Sequence, residues 1–154
     1  RASEVAITAR YEHQREAARQ LGLTPLDEMS VDAWVSEGAP DTVIETVGGT
    51  ATTLNQAVQV CRPGGKIILL GLFSHPMEFD AFNLLVKELQ LVGSLMYGGG
   101  KRGPEFRGAV TLLSRYKEEI QAVQTHQFKL DDIETAFTCA NDKQSGAIKV
   151  TVLP

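Results

Sequence analysis

Short runs of β-branched and aliphatic residues recur along the chain, and most are followed by a segment with apolar residues at three- and four-residue spacing. The first pattern, found in Val5–Ile7, "DTVIETVGG" and "KIILLGLF", predicts strands. The second pattern starts at Glu12 and recurs in "TATTLNQAVQVCRPGG", and it predicts helices. Strands that alternate with helices are typical of an α/β layer built on a parallel sheet.

Glycines mark the ends of these two helices. Gly22 follows the first helix where a left-handed terminator usually stands, and Pro63 with Gly64 stops the second. The apolar face of the second helix has residues at i, i+3, i+4 and i+7: Leu54, Ala57, Val58 and Cys61. Between the first helix and "DTVIETVGG" the periodicity is poor, which predicts a connection with a short helical turn at Val31–Glu37.

The middle of the chain adds a helix and a strand to this alternation. "DAFNLLVKEL" is expected to form a helix capped by Asp80, and "QLVGSLMY" is expected to form the next strand. "KIILLGLF" is apolar on both faces, as a strand is when helices cover both sides of a parallel sheet. These elements predict a Rossmann-like, doubly wound and mostly parallel sheet.

The last third of the chain is predicted to end in a helix and a strand. Pro104 suits the first turn of a helix whose Phe106, Ala109, Val110 and Leu113 share one stripe, and "AVQTHQF" is a short extended piece. Asp131 and Glu134 resemble a capping box before the final helix. "AIKVTVL" alternates apolar and polar residues like a half-exposed terminal strand.

The chain opens on half of a strand–helix–strand unit. If this unit binds a dinucleotide, the adenosine ribose is read near Ala9, and a glycine-rich phosphate loop is expected about 20 residues earlier. Only eight residues precede Ala9, so the loop and the first strand of the sheet are expected before Arg1. A sheet without that strand has unpaired edges, so we expect re-paired strands, a strand borrowed from a second copy, or a longer parent protein. Pairing of Val5–Ala9 with Thr42–Thr46 would indicate re-pairing.

Composition indicates one globular domain and excludes several partners. The 154 residues carry a net charge of -4, which gives no reason to expect nucleic acid or an anionic membrane. There is no long apolar run and no signal peptide, so a cytoplasmic location is expected. Cys61 is expected to be buried, and neither it nor Cys139 has the spacing of a metal site. The three histidines also lack ligand spacing, so no metal site is predicted in this chain.

Three predicted strand ends are candidate ligand positions, because doubly wound sheets bind ligands at the carboxyl ends of their strands. They are Val47–Gly49, Leu70–Phe73 and Ser94–Tyr97. Glycine there lets a flat ligand approach the backbone, although such glycines also make tight turns. "GGGKRG" is a literal G-x-G-x-x-G, but Pro104 removes an amide that would bind a pyrophosphate, which favours a glycine connection.

Ala9 stands where a carboxylate would bind the adenosine 2′-hydroxyl of NAD. Because that carboxylate is absent and Arg10 and Arg15 are near, a 2′-phosphate can be accommodated and paired, which favours NADP over NAD. The alternative is that both arginines are surface charges beside a helix start. Lys149, in the last predicted strand, is either solvent-facing or functional.

With these residues in order, the chain resembles the nucleotide-binding portion of the medium-chain alcohol dehydrogenase superfamily, in particular the zinc-containing polyol, sorbitol and threonine dehydrogenases. The resemblance covers almost the whole chain, and its segments occur in the family's order and spacing. They are "REAARQLG", "DTVIETVGG", "LNQAVQVCRPGGKIILLGLF", "KELQLVGS", "THQFKLDDIETAF" and "SGAIKV". The resemblance implies hydride transfer between an alcohol and NADP or NAD, zinc as a Lewis acid in the parent protein, and a homodimer or higher homo-oligomer.

The same resemblance assigns cofactor-binding positions. The residues that would line the adenosine ribose are Ala9, Arg10 and Arg15. Val47 and Gly48 would approach the nucleotide, and Lys149 would approach the pyrophosphate. Backbone groups near the nicotinamide carboxamide and its ribose are expected from Leu70, Gly71, Leu72, Ser94, Leu95 and Met96. Residues 1–154 would then be an incomplete dinucleotide-binding domain, in which about residues 122–154 include the segment that returns to the catalytic domain.

The family's catalytic domain, with its zinc ligands and proton relay, has no counterpart in this sequence. No catalytic or metal-binding residue is therefore assigned, and the chain alone is expected to be inactive. Three alternatives stay open. They are a non-catalytic nucleotide-sensing or oligomerisation module centred on "QLVGSLMY", a zinc-free quinone reductase relative, and an unrelated α/β fold that uses "GGGKRG" as its phosphate loop.

Overall fold

The computed structural model describes residues 2–27, 29–95 and 105–154. The strands are β1 (Ala6–Thr8), β2 (Thr24–Leu26), β3 (Thr42–Glu45), β4 (Lys66–Leu69), β5 (Gln90–Gly93), β6 (Gln124–Lys129) and β7 (Lys149–Leu153). The α-helices are α1 (Glu12–Gln20), α2 (Val31–Glu37), α3 (Thr53–Val60), α4 (Ala81–Val86), α5 (Glu105–Arg115), α6 (Lys117–Ile120) and α7 (Ile133–Asn141). Two single-turn 3-10 helices, Gln121–Val123 and Leu130–Asp132, flank β6.

The chain divides into two compact units. Unit 1 comprises residues 1–31 and 106–154, and unit 2 comprises residues 32–105. In unit 1, β1 pairs in parallel with β2, and β6 pairs in parallel with β7. In unit 2, β3, β4 and β5 form a parallel sheet in that order. The prediction of an α/β fold with parallel strands is therefore confirmed.

The core of unit 2 lies between its sheet and α3. Its buried members are Leu54, Ala57, Val58, Cys61, Ile67 and Leu89. The apolar face predicted from the i, i+3, i+4, i+7 spacing of α3 is thus the face that packs on the sheet. Burial of Cys61 is confirmed, and it raises the pKa of the Cys61 thiol.

The two faces of the β3–β4–β5 sheet differ in burial. Ile67 lies on the face that meets α3 and is fully buried. Side chains alternate between the two faces, so the next residue, Ile68, lies on the opposite face in a row with Ile44 and Val92. Ile44 and Val92 are exposed there, and Ile68 is half-buried. "KIILLGLF" is therefore less enclosed than its apolar pattern predicts.

The structure does not show the re-pairing of β1 with β3. Among the described residues, β1 pairs only with β2, while β3 pairs only with β4. The two strands belong to different sheets, so each retains one edge without a strand partner in the described part of the chain. Backbone N–H and C=O groups on such edges are ready to pair with a further strand.

The end of α4 is a Schellman motif with an unusual residue. The Glu88 N–H donates to the Leu85 carbonyl and the Leu89 N–H donates to the Leu84 carbonyl, both at 3.0 Å. Glu88 has a φ of 51°, in the left-handed region where glycine is the common residue. Lys87 extends from this turn to the C-terminal end of α3, where its ammonium donates to the carbonyls of Val58, Gln59 and Cys61. A cation at a helix C-terminus satisfies carbonyls that lack partners within the helix.

Three local predictions are incomplete or wrong. The poor periodicity after Gly22 predicts a connection where the structure has β2, a strand of three residues whose Pro25 lacks an N–H and is tolerated at a sheet edge. The capping box of Asp131 and Glu134 does not form, since α7 starts after Asp132 and has no side-chain cap. The apolar stripe of α5 exists, but none of its residues is buried. In contrast, the Asp80 cap is confirmed, because its carboxylate accepts the Asn83 N–H at 3.0 Å.

The structure has no helix, in the part of the chain that it describes, with the length and apolar character needed to cross a bilayer.

Candidate cofactor-binding site

Backbone hydrogen bonds join the loops that follow β3 and β4. The Leu70 N–H donates to the Glu45 carbonyl at 2.9 Å, and the Gly49 N–H donates to the Leu72 carbonyl at 2.7 Å. The Ser74 N–H returns to the Gly49 carbonyl at 3.2 Å. These bonds fix the two loops side by side at the carboxyl edge of the unit 2 sheet, the edge where ligands bind in open α/β sheets.

Two glycines allow the backbones of these loops to touch. Gly48 has a φ of 62°, and a Cβ built on it would lie 2.5 Å from both the N and the O of Leu72. A Cβ on Gly71 would lie 2.5 Å from the Gly48 N and would also overlap Glu45 Oε2. Side chains are therefore excluded at both positions, and the loop surface between them is backbone.

Glu45 is a buried carboxylate at the base of both loops. Its Oε1 accepts hydrogen bonds from the Val47 N–H (2.8 Å), the Gly48 N–H (3.1 Å) and the Thr53 hydroxyl (2.6 Å). Its Oε2 is also buried and has no hydrogen-bond partner among the described residues. Burial acts to raise the pKa of the Glu45 carboxyl, but the hydrogen bonds from Thr53, Gly48 and Val47 outweigh it and hold the pKa below its ordinary value of 4.5. Glu45 is therefore ionised at neutral pH.

Glu45 and Thr53 are functional candidates that the sequence pattern does not single out. One signal was present, because Glu45 is an acidic residue at the end of an apolar strand, and charged side chains are rarely buried without partners. The two N–H partners lie two and three residues ahead in the same turn, a local pattern that acidic side chains often adopt. Thr53 lies eight residues ahead on α3, and no local pattern indicates its contact.

Apolar side chains face outward around the buried carboxylate. The exposed fractions at the ends of β3 and β4 are 63% for Val47, 45% for Leu70 and 71% for Leu72. The Ser94 N–H donates to the Leu69 carbonyl at 2.9 Å, which holds the end of β5 beside the end of β4, and Leu95 follows with its side chain exposed. We define the strand-end cluster as Val47–Gly49, Leu70–Leu72, Ser94 and Leu95. The cluster presents backbone and aliphatic surface at one edge of unit 2.

The Arg15 guanidinium, in unit 1, is already hydrogen-bonded to other residues of that unit. Its guanidinium donates to the carbonyls of Ala9 and Arg10, each at 3.0 Å, and its Nε donates to the Glu12 carboxylate at 2.8 Å. Ala9 is buried, and its N–H donates to the Leu26 carbonyl at 2.8 Å. Arg15 therefore holds the end of β1 in place, and its charge is already paired with Glu12.

Arg10 is the more available of the two arginines. It is exposed, and its guanidinium carbon lies 5.8 Å from the centre of the Tyr11 ring, within cation–π range. No ion pair between described residues involves Arg10. A guanidinium stacked on a ring keeps its donor edges available for a phosphate.

The remaining predicted positions are Lys149 and Met96. Lys149 is the exposed first residue of β7 in unit 1, where its carbonyl accepts the Thr125 hydroxyl at 3.3 Å. Met96 and "GGGKRG" lie outside the described residues. The structure thus brings together the predicted positions of the strand-end cluster in unit 2, and it places Ala9, Arg10 and Arg15 together at the end of β1 in unit 1.

The described residues do not form a metal site. Within ranges 2–27, 29–95 and 105–154, no group of three or more His, Cys, Asp or Glu side chains is arranged to hold a metal ion. Both cysteines are free thiols, with Cys61 buried and Cys139 half-buried. The residues described here do not fit a zinc ion, and no step of a reaction is assigned to one.

Sequence comparison matches this chain to dehydrogenases. The sequence profile of the zinc-binding dehydrogenases matches residues 1–115. An alcohol dehydrogenase from Cupriavidus necator is 28% identical over 116 residues, which cover 74% of this chain and 31% of that protein. An L-threonine 3-dehydrogenase from Bacillus subtilis (strain 168) is 26% identical over 160 residues, which cover 99% of this chain and 45% of that protein.

A solved structure of another protein has a similar fold. A protein from Sinorhizobium meliloti 1021, solved bound to NADP, matches with a TM-score of 0.80 and 25% identity over 99% of this chain and 46% of that one. This match and the parallel sheets described above confirm the Rossmann-like fold class. The chain spans less than half the length of each of these three proteins.

Proposed function

Because the chain belongs to the zinc-binding dehydrogenase family, we propose that it is the cofactor-binding part of an NADP-dependent alcohol or polyol dehydrogenase. The observation that carries the proposal is the strand-end cluster, where Gly48 and Gly71 bring two loops into backbone contact at the ligand-binding edge of a parallel sheet. When bound, the cofactor accepts or donates a hydride at C4 of its nicotinamide ring.

In unit 2, we assign the nicotinamide half of the cofactor to the strand-end cluster. Two physical features support this assignment. The exposed aliphatic side chains of Val47, Leu70 and Leu72 can pack on a flat ring, and the backbone around Gly48 and Gly71 carries no side chain that would keep a ring at a distance. Ser94 and Leu95 extend this surface to the end of β5, and Met96 is the next residue along the chain.

In unit 1, we assign the adenosine end of the cofactor to the residues at the end of β1. Ala9 places no carboxylate at the strand end itself, and the nearby Glu12 carboxylate is paired with Arg15 and Arg19. Arg10 supplies a guanidinium without an ion-pair partner among the described residues, while Arg15 positions the Ala9 and Arg10 backbone. Lys149 is assigned to the pyrophosphate, since an exposed ammonium favours that charge.

The chain by itself is proposed to be inactive. None of its residues is assigned to bind the alcohol oxygen or to accept its proton, and both tasks are needed for hydride transfer. Oxidation of an alcohol with NADP by the 154-residue chain alone would contradict this part of the proposal.

The first test is replacement of Arg10 by glutamine in the intact protein that contains this chain. We expect the Kd for NADPH to rise about tenfold, because a charge-assisted contact with the 2′-phosphate is lost. The Kd for NADH, which lacks that phosphate, should change less than about twofold. Both constants can be measured from the fluorescence of the reduced nicotinamide.

Arg107→Gln is the matched control, because Arg107 is an exposed arginine on α5. It should leave both constants unchanged. Equal losses of NADPH and NADH affinity in Arg10→Gln would contradict the assignment of Arg10 to the 2′-phosphate. A protein that binds neither dinucleotide would contradict the proposed function itself.

A further inference from the structure

We infer that Glu45 is a positioning residue for the nicotinamide half of the cofactor. The inference rests on the proposed function, which places that half on the strand-end cluster. Glu45 is 4% exposed and lies beneath the cluster, so it acts on a ligand only through the loop that it holds. Its carboxylate gathers the turn after β3 and the first residue of α3 onto one oxygen atom.

The hydrogen bonds to Glu45 determine which way the turn faces. A trans peptide points its N–H and C=O in opposite directions, and no peptide bond in the described residues is cis. Because the Val47 and Gly48 N–H groups point inward to the carboxylate, the carbonyls of Thr46 and Val47 point away from it. These carbonyls are acceptors, suited to the hydroxyl and amide donors that a ribose and a carboxamide carry.

Apart from the backbone hydrogen bonds to the loop after β4, the side chains of the turn itself give it little support. Gly48 and Gly49 both have positive φ, and neither carries a side chain that could anchor the loop. The Val47 side chain is exposed, so it contributes little packing to the turn. The carboxylate therefore supplies the inward anchor for Val47 and Gly48, and Thr53 ties that anchor to α3.

The negative charge of the Glu45 carboxylate, and not only its shape, is expected to hold the turn in place. The second carboxylate oxygen, Oε2, lies so close to Gly71 that a Cβ there would overlap it. A glutamine in the same pose could keep Oε1 as the acceptor, but it would place a buried NH₂ group at the position of Oε2. The N–H groups of the turn and the Thr53 hydroxyl would then face a neutral amide in place of an anion.

Four variants of the intact protein test the inference: Glu45→Gln, Thr53→Val, Thr53→Ser and Glu118→Gln. Two ligands separate the halves of the site, NADPH and 2′-phospho-ADP-ribose, which lacks nicotinamide. We expect Glu45→Gln to weaken NADPH binding about tenfold and to leave the Kd of 2′-phospho-ADP-ribose within about twofold. Thr53→Val should show the same pattern with a smaller loss of NADPH affinity. It therefore tests the inference if Glu45→Gln does not fold.

Two of the variants are controls. Thr53→Ser keeps the hydroxyl that donates to Glu45, so it should restore the NADPH affinity lost in Thr53→Val. Glu118→Gln makes the isosteric change at an exposed position on α6 and should alter neither constant. The free energy of unfolding of each variant shows whether a loss of binding accompanies a loss of fold.

The two ligands also distinguish a failure of the inference about Glu45 from a failure of the proposed function. If Glu45→Gln lowers the affinity for both ligands equally, or for neither, Glu45 is a structural residue and the inference is wrong, while the proposed function stands. If the wild-type protein binds neither ligand, the proposed function is wrong and the inference is overturned with it.

Discussion

Replacement of Gly48 by alanine is expected to lower the free energy of unfolding of the chain by about 2 to 4 kcal/mol. Two causes add. An alanine at a φ of 62° costs about 1 to 2 kcal/mol, and the new Cβ would lie 2.5 Å from the backbone N and O of Leu72. Backbone atoms cannot rotate away as a flexible side chain can, so the loops must separate. Denaturant unfolding followed by circular dichroism measures the difference.

Gly49→Ala is a closely matched control. Gly49 has a φ of 64°, almost that of Gly48, but a Cβ on Gly49 would meet nothing within 4 Å. This variant should therefore lose only the conformational part, about 1 to 2 kcal/mol. Equal destabilisation by the two substitutions would show that the loops after β3 and β4 do not approach as closely as described.

The second large effect is a loss of stability in acid that depends on Glu45. Its pKa is lower in the folded chain than its ordinary value of 4.5, so the native state favours the ionised carboxylate. The stabilisation is therefore complete above the unfolded-state pKa and is lost as the pH falls through the lower, folded-state pKa. At neutral pH we expect Glu45→Gln to be less stable than the wild-type chain by about 1 to 3 kcal/mol, because three hydrogen-bond donors lose their charged acceptor.

Urea unfolding of both proteins across the acid range tests this expectation. The stability difference between wild type and Glu45→Gln should be constant above about pH 6 and should shrink below about pH 4.5. Asp27 and Asp80 also have lowered pKa values, through hydrogen bonds from Ser30 and from Asn83, but they titrate in both proteins and cancel in the comparison. A difference that stays constant down to pH 3 would show that the charge of Glu45 does not contribute.

Helices with strong local signals could be predicted from the sequence. The face of α3 followed from its apolar spacing, and its buried residues are those on that face. The start of α4 followed from Asp80, whose carboxylate caps it. In both cases the determining interaction lies within one helix or its first turn, so a short segment contains the information.

Elements that depend on distant partners could not be predicted in the same way. β2 is a strand because its residues pair with Ala6, Ile7 and Thr8, and its own sequence, with Pro25 at the centre, does not favour that structure. The failed capping box near Asp131 has a related cause. A 3-10 turn at Leu130–Asp132 moves the start of α7 by one residue, so Asp132 takes the cap position and makes no side-chain bond.

The candidate site was predicted in outline only. The glycines at the ends of β3 and β4 indicated it, because strand-end glycines permit close backbone approach, and the structure shows that approach for Gly48 and Gly71. The contact between Glu45 and Thr53 and the engagement of Arg15 by the Ala9 carbonyl are three-dimensional facts that residue types alone do not contain. The binding roles of these residues stay predictions.

The central claim is that the strand-end cluster binds the nicotinamide half of a dinucleotide. The most direct test is a titration, with NADPH, of the isotope-labelled intact protein that contains this chain, monitored through backbone amide chemical shifts in NMR spectra. We predict that the amides of Val47, Gly48, Gly71, Leu72 and Ser94 shift together with one dissociation constant. Saturation of the intact protein with NADPH that leaves these amides unshifted, or no binding at all, would contradict the claim.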